Sequence, residues 1–422
     1  MDTRSSTKLT GLVESPLSQS ASQLRVGIIC DLTEENWPSM DLVGDMLFRH
    51  LGTQHSNEIA VEQLRPPMRR RLSRIPLPGA ARSAWNADRL FNRFIDYPRW
   101  LRRQADRFDL FHIVDHSYSQ LVNVLPRDRT IVTCHDLDTF RCLIEPSRDP
   151  RPRWFRSMAK KTLNGFRRAA HVIAVSHYTR SELLRQDWFQ EDRISVIHSG
   201  VHPTFCQAPD PASELAVNRL FGGGPSAPFY LLHAGSTVPR KRIDVLLRVF
   251  AAIAPQFPEL RLVKAGGRLT DSQWALAQSL GVRERVIAAS DVDRDILAAL
   301  YRNATLLLQT SEGEGFGLPV IEALACACPV LASDIPALRE AGGSAAEYCP
   351  VGDVAAWSDS VARLLCERIL SPEGWVRRQN LGRRHATQFS WSETARQTAA
   401  VYAGLWDAHR RTTVGSGSRP HV

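Results

Sequence analysis

Ala304-Thr-Leu-Leu-Leu-Gln-Thr-Ser-Glu-Gly-Glu-Gly-Phe-Gly-Leu-Pro-Val-Ile-Glu322 runs from an apolar strand, through an acidic glycine-rich loop, into a helix opening on Pro319. Proline is favoured at the first helical position, where its missing N–H costs no hydrogen bond. Gly313, Gly315 and Gly317 let bare backbone approach a ligand closely. Behind them, the free N–H groups and positive dipole end of the helix form an anion site. Glu314 precedes that site and Glu322 lies about one turn inside the helix, so two carboxylates bracket it. A carboxylate repels phosphate, so each is expected to accept hydrogen bonds from neutral hydroxyls instead. A hydroxyl-rich group on each side of a diphosphate describes a sugar nucleotide. In an isolated turn the same residues would mean less: Glu322 would complement the helix dipole and Gly-Phe-Gly would be a tight bend.

Outward from this segment the chain alternates strands and helices. Residues 229–233, 260–263, 304–309 and 329–332 read as buried strands, and Ile243, Leu246, Leu247, Phe250 and Ile253 share one helical face. Nearer the amino terminus, apolar runs at 25–30, 110–114, 130–135, 171–175 and 194–197 are separated by amphipathic stretches such as 40–51 and 179–185. Continuous apolar strands alternating with helices argue for an α/β protein with doubly wound parallel sheets. A chain of 422 residues suits two such domains. Loop chemistry at 208–213 and 222–228 marks the break between them. The predicted division is a disordered tail over 1–23, a Rossmann-like acceptor domain over 24–205 and a linker over 206–228. A Rossmann-like nucleotide-sugar domain over 229–388, a closing helix over 389–411 and a disordered tail over 412–422 follow. Ser390-Trp-Ser-Glu393 opens the closing helix with a capping-box pattern.

Two more segments place chemistry at strand ends, where ligands of such sheets sit. His233-Ala-Gly-Ser-Thr-Val-Pro-Arg-Lys-Arg242 carries a strand through Gly235 to Arg240 and Lys241, just before a helix. Cations there oppose the helix dipole, so something anionic is expected beside them. Arg offers phosphate a planar fork and Lys a point charge, and such a clamp can neutralise a departing diphosphate. Thr133-Cys-His-Asp136 ends a buried strand of the first half. His135 can hydrogen-bond a sugar hydroxyl or steady a developing cation, or it can be a strand-end residue satisfied by Asp136.

Glu314-Gly-Phe-Gly-Leu-Pro-Val-Ile-Glu322 resembles, residue for residue, the signature of the retaining glycosyltransferases of family 4, which have the GT-B fold. The resemblance implies two Rossmann-like domains facing a central cleft, with a C-terminal helix crossing back to the first. It implies that Glu314 contacts the donor hexose, Glu322 the ribose, and Gly315, Phe316, Gly317 and Leu318 the phosphates. It extends to Gly-x-x-x-Pro-Arg-Lys at 235–241, where Arg240 and Lys241 match the diphosphate-binding pair. It extends also to His135, which matches a required histidine facing the hexose, with Asp136 to orient it. The implied reaction is metal-independent, retaining transfer of a hexosyl group from a nucleoside diphosphate sugar, GDP-mannose or similar. The acceptor is a hydroxyl of a glycan or glycolipid in polysaccharide, lipopolysaccharide or other cell-envelope biosynthesis. No cofactor beyond the donor and no metal are expected, since no Asp-x-Asp stands in the context of a metal site. The match covers most of residues 24–410, more strongly in the second domain. Arg242 departs from it by standing where Gly or Asn is usual. Residues 31–36 lack the Gly-Gly of many relatives, and 286–290 replace a Gly-containing loop beside the base. His198 and His202 read as hinge or cleft-lining residues.

Lys and Arg number 53 against 44 Asp and Glu, giving a net charge of +9 that calls for an acidic partner. Arginines and aromatics crowd 65–103 and 148–168. Such segments can lie in an anionic lipid interface, or be solvated basic faces. Nucleic acid would draw the same charge, but there is no zinc-finger, homeodomain, RRM or KH pattern, and none is expected as a partner. No apolar run reaches the ~18 residues that span a bilayer. The first residues lack the apolar centre of a secretory signal. Scattered cysteines suit a reducing compartment, and the Cys326-Ala-Cys328 spacing is too short for a zinc pair. The expected location is the cytoplasm, at the inner face of the cytoplasmic membrane if the basic faces bind lipid. Two rival functions fit the same residues: a GT-B nucleotide-sugar epimerase, and a non-catalytic nucleotide-sugar-binding partner at a membrane.

Overall fold

The computed structural model describes residues 23–74, 81–205, 208–223 and 229–416. Among them, two six-stranded parallel sheets form two lobes. The first contains β1 (Leu24–Ile29), β2 (Ile59–Leu64), β3 (Leu110–Ile113), β4 (Thr130–Cys134), β5 (His171–Ala174) and β6 (Ile194–Val196), in the order β2-β1-β3-β4-β5-β6. The second contains β7 (Tyr230–Gly235), β8 (Arg261–Gly266), β9 (Val286–Ala289), β10 (Leu306–Gln309), β11 (Val330–Ser333) and β12 (Glu347–Cys349). Its order is β12-β11-β10-β7-β8-β9. Order reverses between β1 and β3 in one sheet and between β7 and β10 in the other, and ligands bind at such switch points. The central strands are buried on both faces, as β4 and β10 are at every residue, because helices cover each side.

Three strands escape the sequence reading, and all are sheet edges: β2, β9 and β12. Each mixes buried with partly or fully exposed residues; polar residues interrupt β2 and β12, and the apolar run of β9 is only four residues long. The segment 286–290, read as a changed loop, is therefore mostly edge strand β9. The linker also differs from expectation. Asp210 and Pro211, which look like loop chemistry, begin a helix over Pro211–Leu220. Asp210 accepts a hydrogen bond from the Ser213 N–H at 2.9 Å, Pro211 takes the position that needs no donor, and Glu214 pairs with Arg302 at 2.7 Å.

The closing helix spans Trp391–Ser416, past the expected end at 411, and residues 417–422, like 1–22, lie outside those described. It crosses to the first lobe, where Trp391, Ala395, Ala399 and Tyr402 pack with Val26, Ile28, Leu42 and Met46 in one core. Tyr402 Oη meets the buried His112 Nδ1 at 2.7 Å. Only half of the capping box forms. Ser390 Oγ accepts from the Glu393 N–H at 3.1 Å, while the Glu393 carboxylate turns to Arg396 and Gln397.

Candidate active site

The carboxyl ends of the two sheets face each other, and the loop after β10 touches the first lobe. The helix that follows spans Leu318–Ala325, one residue earlier than expected, and Gly317 introduces it at φ +119°, where a side chain is strained. Gly315 has a different reason to be glycine. A Cβ there would lie 1.6 Å from the carbonyl oxygen of His135. The carbonyl of Gly315 accepts hydrogen bonds from Ser176 Oγ at 2.5 Å and Thr179 Oγ1 at 3.1 Å. Phe316 is buried, and Leu318 packs at the margin of the same core.

Glu314 is the centre of charge. Lys241 Nζ donates to it at 2.5 Å, Ser311 Oγ at 2.6 Å, Gln309 Nε2 at 2.8 Å and Arg240 Nη1 at 3.2 Å. Burial alone would raise its proton affinity, but Lys241 and Arg240 overcome this and hold the carboxyl at about 2. Arg240 spans the cleft. It donates to the Gly313 carbonyl at 2.8 Å and to Asp136 of the first lobe at 3.2 Å, and it also pairs with Asp138. The anions that cations before a helix require are thus Glu314, Asp136 and Asp138. Arg242 adopts φ +48°, a left-handed conformation that suits the Gly or Asn usual here. Its guanidinium grips Asp244 through two contacts of 3.0 Å and Glu312 at 3.2 Å. Gly235, at φ +139°, ends β7 beside Lys241.

His135 follows β4. Its Nε2 lies 2.7 Å from the Val114 carbonyl, which can only accept, so Nε2 carries the proton. Burial lowers its pKa, and a neutral ring in this tautomer leaves Nδ1 as an acceptor. Asp136, expected to orient this ring, faces Arg240 and His116 instead, at 3.2 and 3.7 Å. Val114 does the orienting. A strand-end carbonyl is not visible as a ligand in sequence.

Two family models match the chain: "Glycosyl transferases group 1" over residues 221–381 and "Glycosyltransferase Family 4" over residues 47–205. A D-inositol 3-phosphate glycosyltransferase of Nocardia farcinica is 30% identical over 339 residues, covering 75% of this chain and 72% of the relative. The chain belongs to the group 1 glycosyltransferases. An O-antigen chain mannosyltransferase B of Escherichia coli is also 30% identical, over 71% of this chain and 77% of that one. Sucrose-phosphate synthase of Thermosynechococcus elongatus shares the fold, with a TM-score of 0.68 at 20% identity over 92% of this chain and 100% of that one.

In this glycosyltransferase Glu322 stands apart from the Glu314 cluster. It is 8% exposed, and Tyr301 Oη donates to its Oε2 at 3.1 Å. Burial pushes its carboxyl up to about 7, against the pull of Tyr301 and Arg294. Asp-x-Asp occurs at 136/138, in the cleft, and at 291/293: Asp136 and Asp138 both pair with Arg240, while Asp293 caps the helix Arg294–Asn303 and Asp291 pairs with Arg268 at 2.8 Å. Sequence reasoning missed Lys264, which is 1% exposed in β8. Its Nζ donates to the carbonyls of Gly235 at 2.7 Å, Ala265 at 2.8 Å and Gly267 at 3.3 Å, tying the Gly235 turn to the loop after β8. Burial, then Lys241, lowers its pKa to about 7. A lysine inside the apolar run Leu262-Val-Lys-Ala265 was the available signal. Asp31 and Asp115, at the β1 and β3 ends, were missed as well; both are buried, and burial with the neighbouring Asp115 raises the Asp31 carboxyl well above its usual range.

Proposed function

We propose that this glycosyltransferase moves a hexosyl group from a nucleoside diphosphate sugar to a hydroxyl of a glycan or lipid-linked acceptor, with retention and without a catalytic metal. The observation that carries the reading is the convergence of Arg240, Lys241 and Glu314 beside the N-terminus of the helix Leu318–Ala325. A bound diphosphate would compete with Glu314 for the two cations, freeing that carboxylate for the hexose hydroxyls. Glu322, outside the cation cluster, would serve the ribose. The pairing of Asp136 and Asp138, the Asp-x-Asp in the cleft, with Arg240 supports a metal-free transfer, in which Arg240, Lys241 and the helix end carry the charge of the leaving group.

In the proposed step the bond between the anomeric carbon and the phosphate oxygen breaks as the acceptor oxygen bonds that carbon on the same face. The acceptor proton passes to the departing phosphate oxygen. Neutral His135 offers Nδ1 to a sugar hydroxyl, and lobe contact through Gly315 limits water. The names of the O-antigen mannosyltransferase and inositol-phosphate glycosyltransferase relatives support a mannosyl or related hexosyl donor of the GDP-mannose kind and an envelope-glycan setting. Lys241→Ala tests the assignment. Transfer should fall by about 10²–10³ in kcat with the fold retained. Unchanged turnover would refute the site. A product bearing a new glycosidic bond, rather than an isomerised donor sugar, separates transfer from epimerisation.

A further inference from the structure

His177, His198 and Glu340 bring one ligand atom each to within 4.8 Å of the other two. They join both lobes. His177 opens the helix His177–Arg185 after β5, His198 follows β6, and Glu340 lies on the helix Pro336–Gly342 of the second lobe. His198 Nε2 is 2.6 Å from Glu340 Oε1, and the backbone N–H groups of His177 and Tyr178 donate to the same carboxylate at 2.8 and 3.3 Å. Those donors hold Glu340 in place. The His198 ring stacks on Phe316 of the donor loop at 5.2 Å and 17°, with Phe389 edge-on at 5.8 Å, so it too is oriented. His177 is exposed and can turn about its side-chain bonds.

Two imidazoles and one carboxylate suit Zn(II) or its neighbours Co(II) and Ni(II), whereas Mg(II) and Ca(II) prefer all-oxygen sets. Zinc bonds of ~2.0–2.1 Å put ligand atoms about 3.3 Å apart in a tetrahedron. His198 Nε2 and Glu340 Oε1, now hydrogen-bonded at 2.6 Å, must part by ~0.7 Å to reach that spacing, and the exposed His177 must turn to bring the third ligand to it, with water completing the shell. We propose that His177, His198 and Glu340 form a transition-metal site that clamps the two lobes beside the donor loop. Its metal takes no part in the transfer step. Because Phe316 stacks on His198, occupancy ties the donor loop to the lobe interface.

The test uses the full chain without a polyhistidine tag, titrated with Co(II) and followed by the visible absorption of the tetrahedral ion, then displaced by Zn(II). One ion per chain is expected. His177→Ala, at an exposed helix-start position where the fold should survive, and Glu340→Gln should each weaken binding by at least about tenfold. Zinc should raise the melting temperature of the wild type and not of His177→Ala. Metal uptake that ignores His177→Ala, such as capture by the exposed thiol of Cys366, overturns the proposal, as does absence of binding. The readout is metal binding alone, so its failure leaves the Lys241 test of transfer untouched.

Discussion

Glu322→Gln converts the electrostatics of the buried glutamate into a measurable pH dependence. The native carboxyl is 8% exposed, and burial raises its pKa from 4.5 to about 7. A carboxyl with a raised folded-state pKa binds more protons folded than unfolded between those values. Its stabilising contribution is whole below pH 4.5 and is lost as pH rises through about 7. At ~1.36 kcal/mol per pH unit, the loss is about 3 kcal/mol. Glutamine keeps an acceptor for Tyr301 and carries no charge to bury. For a lobe of about 200 residues, 1 kcal/mol moves the melting temperature by about 2–4 °C. About 2.5 kcal/mol of that loss falls between pH 5 and pH 8, so the difference in melting temperature, variant minus wild type, should grow by roughly 5–10 °C over that range. Calorimetry of both proteins across that range reads it directly, and a difference that stays flat with pH refutes the reasoning. Donor affinity should move the other way. The ionised carboxylate is the better acceptor for ribose hydroxyls, so wild-type affinity should strengthen as pH rises through 7, and the variant should lose that dependence.

Gly315→Ala should push the lobes apart, because the new Cβ would meet the His135 carbonyl at 1.6 Å. Transfer should drop more than about tenfold while each lobe stays folded, since misplacement of reacting groups by an ångström is costly; full activity with the wild-type solution scattering profile would count against the lobe contact. The basic faces make a separate prediction. Lys161 of one arginine-rich segment lies over Phe94 of the other at 5.7 Å, so the two share one region of the first lobe, where Phe91 and Trp154 are exposed. We propose that this region binds anionic lipid. Flotation with acidic vesicles should fade with salt, and binding indifferent to both lipid charge and salt would sink the idea. Among the described residues, no helix is long and apolar enough to cross a membrane.

The central strands, the glycine loop with Glu314 and Glu322, and the cation pair Arg240 and Lys241 were all legible in the sequence. Each is written in contiguous residues: apolar runs, glycines at fixed spacing, a proline at a helix start. The edge strands β2, β9 and β12 were not: polar residues break up β2 and β12 on their exposed side, and the four apolar residues of β9 are too short a run to tell a strand from other structure. Nor was the helix inside the linker, since Asp and Pro begin helices as readily as they end them. Only the folded chain decided that Asp136 belongs to Arg240 rather than His135, that Lys264 braces two turns, and that Glu322 is buried deeply enough to titrate near neutrality. It also decided that His177, His198 and Glu340, far apart along the chain, share one corner between the lobes. Local sequence governs backbone conformation and which face is apolar. Proton affinity and ion pairing depend on distance and dielectric, and those exist only once separate strand ends have been brought together.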